Sequence, residues 1–349
     1  MSTPRIVLGQ VGCGYWGPNL LRAFIGQPGS EIRTVAEPRP ERRDYVRECF
    51  PQCQVADSPA ALLDDPEIDA VVIASPAATH YEIARRALLA GKHVLVEKPL
   101  ATSGAHAREL AELAGERRLQ LMTGHTFLYN AAVRRMREIV ASGGIGDVYY
   151  VYSQRLNLGQ TRSDVDVWWN LAPHDVSILS YLLGGAVAES VAAQGITFLQ
   201  PGIADAVFAV LRFPGGVAAH VHVSWLDPGK VRRVTVVGSR KMLVYDDVAE
   251  QKLAVLDQGF DRVPSLGDRM DFDHPDRTRL LRRMGDVWLP RIEMQEPLRA
   301  EAAHFLECVR TGAPPLSGPR HACDVVSMLE AGQRSLEQGG SPARVERGP

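Results

Sequence analysis

The chain has 349 residues, more than one hydrophobic core usually serves, so length alone points to two domains. Apolar residues make up 45% and charged residues 23%, as in a folded globular protein, and no apolar run approaches the ~20 residues that span a bilayer. Lys and Arg total 39 against 41 Asp and Glu, a net charge of −2, which leaves no basic face for DNA or RNA and excludes a nucleic-acid partner on electrostatic grounds.

The N-terminus runs directly into an apolar strand without the long apolar stretch of a secretory signal, so a cytoplasmic protein is expected. The five cysteines, Cys13, Cys49, Cys53, Cys308 and Cys323, fit free thiols in a reducing compartment. Their spacing builds no zinc site, and no metal is expected.

In chain order, the first ~120 residues alternate short β-branched runs with helical stretches, the rhythm of a parallel sheet covered by helices. Strands are expected at Arg5–Val11, Glu31–Ala36, Ala70–Ala74, His93–Glu97 and Leu119–Thr123. Helices are expected at Pro18–Ile25, His80–Ala90 and Ala105–Arg117. A helix over Asn130–Ser142 then precedes longer alternating segments: Val148–Arg155, Asp205–Phe213, Gly216–Ser224, Arg233–Val237 and Lys241–Tyr245. Their spacing suits a mostly antiparallel sheet. A helix over Asn170–Leu183 interrupts them, residues 256–293 read as a polar loop or short-helix excursion, and helices near Pro297–Arg310 and His321–Gln338 close the chain. The expected fold is α/β: a Rossmann domain over residues 1–123, then an α+β domain with an open-faced sheet over residues 124–349.

Gly12-Cys13-Gly14-Tyr15-Trp16-Gly17 follows the first strand and opens a helix, the context in which G-x-G-x-x-G binds a dinucleotide. Gly12 serves the tight turn, Gly14 the approach of the pyrophosphate, and Gly17 the packing of helix on strand. The free N–H groups of the first helical turn face the phosphates, and Pro18 wastes no N–H there. Tyr15 and Trp16 lie within this cradle. Glu37 ends the next strand, 20 residues after Gly17, where a carboxylate bonds the ribose hydroxyls of NAD and disfavours the 2′-phosphate of NADP. Arg39, Arg42 and Arg43 read as solvated helix charges, able to offset that preference in part.

Ser75-Pro76 and Glu97-Lys98-Pro99 sit at carboxyl ends of strands, where open α/β sheets bind ligands. Ser75, Pro76, His80 and Glu97 are candidate lining of the nicotinamide pocket. Partial burial of Lys98 would depress its pKa and suit it to proton transfer or to polarising a substrate oxygen, with an ordinary surface lysine as the even-odds alternative. In Trp168-Trp169-Asn170-Leu171-Ala172-Pro173-His174-Asp175, Asn170 and His174 share a face if the helix has begun. Asn170 is equally readable as an N-cap.

Taken together, GCGYWG, SPAATHYE, EKPLA, the PHD of the second half and the closing EPLRAEAAHFLECVRTGAPPLSG resemble the Gfo/Idh/MocA oxidoreductases over essentially the whole chain. The resemblance implies hydride transfer between nicotinamide and a secondary alcohol or ketone. It implies Lys98 as the lysine bonding the reacting oxygen, His174 as its acid–base partner, and a homo-oligomer, dimer or tetramer, built through the sheet. Many members carry Asp four residues before that histidine; here the position is Asn170, and an amide cannot take up a proton. WWNLAPHD and GHTFLYN resemble the UDP-N-acetylhexosamine 3-dehydrogenase type, which implies a nucleotide-linked sugar as substrate. Arg155, Asn157, Trp169, Asn170 and His174 are its candidate contacts. An NAD(P)H-dependent sugar ketoreductase, an inositol or free-sugar dehydrogenase and a non-catalytic NAD-binding regulator are the alternatives.

Overall fold

In the computed structural model, which describes residues 5–264 and 278–346, the first part of the chain alternates strands and helices. These are β1 (Ile6–Val11), α1 (Gly17–Ile25), β2 (Ser30–Ala36), α2 (Pro40–Cys49), β3 (Gln54–Ala56), α3 (Ala60–Leu63), β4 (Ala70–Ile73), α4 (His80–Leu89), β5 (His93–Glu97), α5 (Gly104–Glu116) and β6 (Leu121–Gly124). The six strands pair in parallel in the order β3-β2-β1-β4-β5-β6. All four residues of β4 are buried, as expected for a parallel strand covered by helices on both faces. The order reverses between β1 and β4, and that reversal opens a crevice at the carboxyl ends of the two strands.

The second part contributes α6 (Ala131–Ala141), β7 (Val148–Leu158), α7 (Val167–Leu182), β8 (Ser190–Ile196), β9 (Ala206–Arg212), β10 (Ala218–Ser224), β11 (Leu226–Gly238), β12 (Met242–Asp246), β13 (Leu253–Pro264), β14 (Thr278–Trp288), α8 (Pro297–Thr311), α9 (Pro319–Glu337) and β15 (Ala343–Arg344). Nine strands form one sheet, β14-β13-β12-β11-β7-β10-β9-β8-β15, antiparallel except where β7 meets β10. Alternation places Val207, Ala209 and Leu211 in the core while Phe208 stays 39% exposed on the open face, the period of a sheet covered on one side.

Two sequence readings are corrected. Much of the segment read as a loop over 256–293 is the hairpin of β13 and β14; residues 265–277 within it lie outside the described residues. Its two strands are the last two of the sheet, β14 at the edge and β13 next to it, and carry Arg and Asp, so their apolar alternation is too weak to be read without the pairing partner. The helix expected from Asn170 starts at Val167, because Asp166 caps it by accepting the Trp169 N–H at 3.0 Å.

The closing helices return to the first sheet. Phe305 of α8 meets Phe24 of α1 edge-on at 6.1 Å, and Leu298, Ala302 and Leu306 join the core around Leu8, Leu20 and Val35. Ala322 and Val326 of α9 pack with Val94 and Val96 of β5. Among the described residues no helix is long and apolar enough to cross a membrane, and no group of His, Cys, Asp and Glu is placed to hold a metal ion.

Candidate active site

The turn after β1 has the geometry that its glycines imply. Gly12 has φ +91°, and a Cβ there would lie 2.6 Å from the Ala74 carbonyl oxygen; only glycine fits both constraints. A Cβ on Gly17 would lie 2.7 Å from the Gly12 oxygen, so α1 can close on β1 only without one. At Gly14 the nearest atom to such a Cβ is a guanidinium nitrogen of Arg39 at 3.5 Å, leaving its backbone open to a ligand. Gln10, fully buried in β1, donates to the Gly12 and Gly17 carbonyls at 2.9 and 3.1 Å and braces the turn. Nothing in the sequence pattern singled it out.

Glu37 is 2% exposed. It accepts the Cys13 N–H at 2.8 Å and the Arg39 Nε–H at 2.8 Å. Burial pushes its pKa up, but these bonds outweigh that and hold it below the usual carboxylate value. The arginines expected as solvated charges are instead part of the crevice. Arg39 pairs with Glu37, Arg42 donates to the Cys13 and Gly14 carbonyls at 2.7 and 2.8 Å, and Arg43 donates to the Glu37 carbonyl at 3.0 Å. Gly14, Tyr15, Pro18, Asn19, Arg22, Arg39, Arg42 and Tyr45 line a 410 Å³ cleft. An open glycine backbone and a helix N-terminus bordering one cleft, with the strand-end carboxylate of Glu37 just behind Arg39 of its lining, fit a dinucleotide.

His80 was expected to touch the cofactor; the structure gives it another task. It is 1% exposed, with Nδ1 at 2.7 Å from the Pro99 oxygen and Nε2 at 2.9 Å from the Ser75 oxygen. A neutral ring donates to only one of these carbonyls, and burial keeps His80 below its ordinary pKa even though both carbonyls pull it upward. The ring clamps the Ser75-Pro76 turn to the loop after β5. The Ser75 hydroxyl is 2.7 Å from that of Thr79, and Pro76 stays exposed.

At the end of β5, Glu97 is 9% exposed, and burial lifts its pKa to about 7 against the opposing pull of the Lys98 charge and the Trp16 indole. Burial drives the Lys98 ammonium down to about 8; Glu97 opposes this, and the charges of Arg155 and Arg162 add to it. The Lys98 Nζ donates to the Asn170 carbonyl oxygen at 2.8 Å, joining the first sheet to α7. Lys98 is therefore not a surface lysine.

Because α7 begins at Val167, Asn170 lies inside it and shares a face with His174. The His174 Nδ1 is buried with no hydrogen-bond partner among the described residues, and the ring packs against Phe127 at 5.2 Å. Burial, reinforced by the charges of Lys98, Arg155, His125 and Arg232, holds its pKa well below the usual value, so the ring is neutral and able to accept a proton at neutral pH.

Arg155 and Trp169, expected as substrate contacts, are mostly engaged within the protein. Arg155 is 6% exposed, lies over the Phe127 ring at 4.4 Å, and is paired with Asp175, its Nε at 2.7 Å from Oδ2. Asp175 also accepts from the Ser153 hydroxyl at 2.5 Å. Asp175 thus serves Arg155 from the buried side of α7. The Trp169 indole donates to Gln333 at 3.1 Å, and Trp168 is fully buried with its indole on the Leu329 carbonyl at 2.9 Å. Asn157 is half-buried two residues beyond Arg155 on the same face of β7, its side chain against Gly159. Sequence reasoning missed His125, 2% exposed after β6 with an unpartnered Nδ1. It also missed Glu301 of α8, 1% exposed. Both lie in stretches that carry the resemblance, GHTFLYN and EPLRAEAAHFLECVRTGAPPLSG, but neither was singled out there.

The fold and the site define a two-domain nicotinamide-dependent oxidoreductase: a dinucleotide crevice in the first domain, and a lysine at the end of β5 bonded to the helix of the second domain that carries a neutral histidine. Residues 6–125 match the oxidoreductase family with an NAD-binding Rossmann fold, and residues 133–244 match the GFO/IDH/MocA C-terminal domain. The UDP-N-acetylglucosamine 3-dehydrogenase of Acidithiobacillus ferrooxidans is 30% identical over 261 residues, covering 74% of this chain and 79% of that one. The scyllo-inositol 2-dehydrogenase (NAD+) of Bacillus subtilis is 25% identical over 324 residues, 89% of this chain and 87% of that one. The crystal structure of GenD2 from gentamicin A biosynthesis in complex with NAD superimposes with a TM-score of 0.82 at 24% identity, covering 99% and 98% of the two chains. The protein belongs to the Gfo/Idh/MocA family of oxidoreductases, and its N-terminal domain is an NAD-binding Rossmann domain.

Proposed function

We propose that this enzyme oxidises a ring hydroxyl of a sugar, at C3 of a nucleotide-linked sugar, to the ketone with NAD+ as oxidant. The observation that carries the reading is that Lys98, depressed to about 8, bonds the carbonyl of Asn170, one helical turn before a neutral His174 that feels its charge. Gly12, Gly14 and Gly17 with the N-terminus of α1 hold the pyrophosphate. Glu37 takes the ribose hydroxyls, which favours NAD over NADP, and Tyr15, Trp16, Ser75 and Pro76 border the cofactor. When bound, the nicotinamide supplies the hydride acceptor.

Below about pH 8 Lys98 is an ammonium, and its N–H bonds the substrate oxygen and stabilises the charge that develops there. His174, neutral, takes the hydroxyl proton as the carbinol C–H leaves as hydride. In the reducing direction the same two groups return the proton. The similarity to a UDP-N-acetylglucosamine 3-dehydrogenase supports the nucleotide-linked sugar. The similarity to a scyllo-inositol 2-dehydrogenase over most of the chain favours, as a second reading, a ring polyol without a nucleotide. We further propose a cytoplasmic homo-oligomer, dimer or tetramer, formed through the open sheet face, where Tyr150, 46% exposed, stacks on Tyr152.

The test is Lys98→Ala assayed for hydride transfer to NAD+ against UDP-N-acetylhexosamines and free inositols. The expected loss in kcat is about 10²–10⁴-fold with the NAD dissociation constant little changed. An unaltered rate of the chemical step removes Lys98 from the mechanism, and turnover of inositols alone selects the second reading.

A further inference from the structure

The covered face of the second sheet carries a guanidinium that the reaction chemistry leaves unused. Strand register sets Arg232 of β11 directly opposite Arg155 of β7, and directly opposed residues share a face. Arg232 also alternates in step with Val234 and Val236, which join Val176 and Leu179 of α7 in one core, so it stands on the face that carries His174. The Arg155 guanidinium lies 4.4 Å from the Phe127 ring, and that ring lies 5.2 Å from the His174 ring. Arg232 is the next cation along the sheet from this stack. The arginines here differ in how much of their bonding capacity is taken. Arg155 places Nε and Nη2 on Asp175, and Arg233, on the open face, gives two N–H groups to Asp246. Arg232 gives one, at 3.2 Å, to Asp247 Oδ2; its side chain stays 39% exposed and forms no other hydrogen bond among the described residues. A guanidinium has five N–H donors, so most of those on Arg232 are open to a ligand. Its anchor is built outward from the interior. Asn130, buried, donates to the Tyr245 hydroxyl at 3.1 Å, and Tyr245, also buried, donates to Asp247 Oδ1 at 2.9 Å. A buried line of polar groups is costly unless each is bonded, and the bonds of this one lead to a single half-exposed guanidinium.

We propose that Arg232 is a specificity-determining residue that bonds a phosphate oxygen of the substrate's diphosphate while the sugar ring lies against Lys98 and His174. The proposal rests on the reading of the substrate as a nucleotide-linked sugar. A planar fork of N–H donors matches the paired oxygens of a phosphate, and a charge-assisted bond of this kind is stronger than one to a neutral hydroxyl. Arg155 cannot serve in its place, because it is buried and committed to Asp175. Burial dominates the depressed pKa of His174, and the charge of Arg232 adds to it after those of Lys98, Arg155 and His125, in keeping with a guanidinium near the site. A ring polyol without a phosphate would leave this guanidinium in water, so Arg232 distinguishes the two classes of substrate.

The experiment measures UDP binding by calorimetry, and turnover of UDP-N-acetylhexosamines, on the NAD-loaded wild type and its Arg232→Met and Arg232→Lys variants. Methionine keeps an apolar stem and removes the charge; lysine keeps the charge and loses the fork. In Arg232→Met the UDP dissociation constant is expected to rise about 10- to 100-fold, and KM for the nucleotide sugar by a similar factor, with kcat and NAD affinity little changed. Arg232→Lys is expected to recover part of the loss. UDP affinity and KM that stay at wild-type values in Arg232→Met overturn the proposal. A fall in Tm and kcat with UDP affinity unmoved also overturns it, since that is the mark of an ion pair with Asp247 that is only structural. Failure of the underlying reading has a different signature: the wild type itself then neither binds UDP nor turns over nucleotide sugars while it oxidises free inositols.

Discussion

Asp175→Asn isolates the ion pair that lies directly behind the proposed acid–base histidine. The substitution keeps the size of the side chain and leaves an oxygen for the Ser153 hydroxyl, but Arg155, 6% exposed, loses the carboxylate that meets it at 2.7 and 3.3 Å. Removing one partner of a buried pair costs about 3–5 kcal/mol, because the remaining charge stays buried and unpaired. In a chain of this size a kcal/mol moves Tm by roughly 1.4 °C, so a fall of about 4–7 °C is expected. The guanidinium, no longer balanced, also acts with more force on its neighbours. Arg155 already contributes to the depressed pKa of Lys98 and of His174, so the alkaline limb of kcat/KM moves to lower pH. Scanning calorimetry gives the first quantity and a pH–rate profile the second. The double variant Arg155→Met/Asp175→Leu removes both charges and, by the same reasoning, recovers most of the lost stability. A single variant that loses less than about 1 kcal/mol, or a double variant no more stable than the single, would refute the assignment of this pair as a buried, mutually dependent unit.

Two further outcomes follow from the glycine turn and from α7. Gly12→Ala places a Cβ 2.6 Å from the Ala74 oxygen at φ +91°, so calorimetric titration is expected to show NAD affinity lower by at least about tenfold, with loss of thermal stability. Gly14→Ala has room for its Cβ and is expected to weaken NAD binding while leaving Tm near wild type; equal thermal losses in both variants count against the separate roles given to these glycines. Asn170→Asp places a carboxylate one helical turn before His174 and is expected to raise the acid limb of kcat/KM by about 1–3 units, because a nearby negative charge favours imidazolium. An unmoved limb argues against His174 as the base.

Much of the Rossmann half was legible because its determinants are local. A glycine that must take positive φ stands directly after a buried strand, Glu37 ends the next strand, and helical and alternating periods follow one another at short range. The open sheet was legible where its covered face alternates cleanly, as in β9. It was lost in β13 and β14, the last two strands of the sheet, where charged residues leave only the hydrogen-bonded neighbour to specify a strand. The lysine and histidine stood out by motif and resemblance, yet their setting did not.

The chain's sequence by itself determined the class of fold and the dinucleotide turn and nominated the groups proposed to move a proton, since these depend on residue type and spacing over a few positions. Tertiary structure alone decided which of those groups act on one another. Lys98 reaches the carbonyl of Asn170, His80 is spent between two loop carbonyls, Arg155 is committed to Asp175, and Glu301 is brought to the Thr126 hydroxyl from the far end of the chain. Burial and charge at such a site arise from contacts between segments tens to hundreds of residues apart, and no local pattern encodes a pKa that is created only when those segments exclude water together.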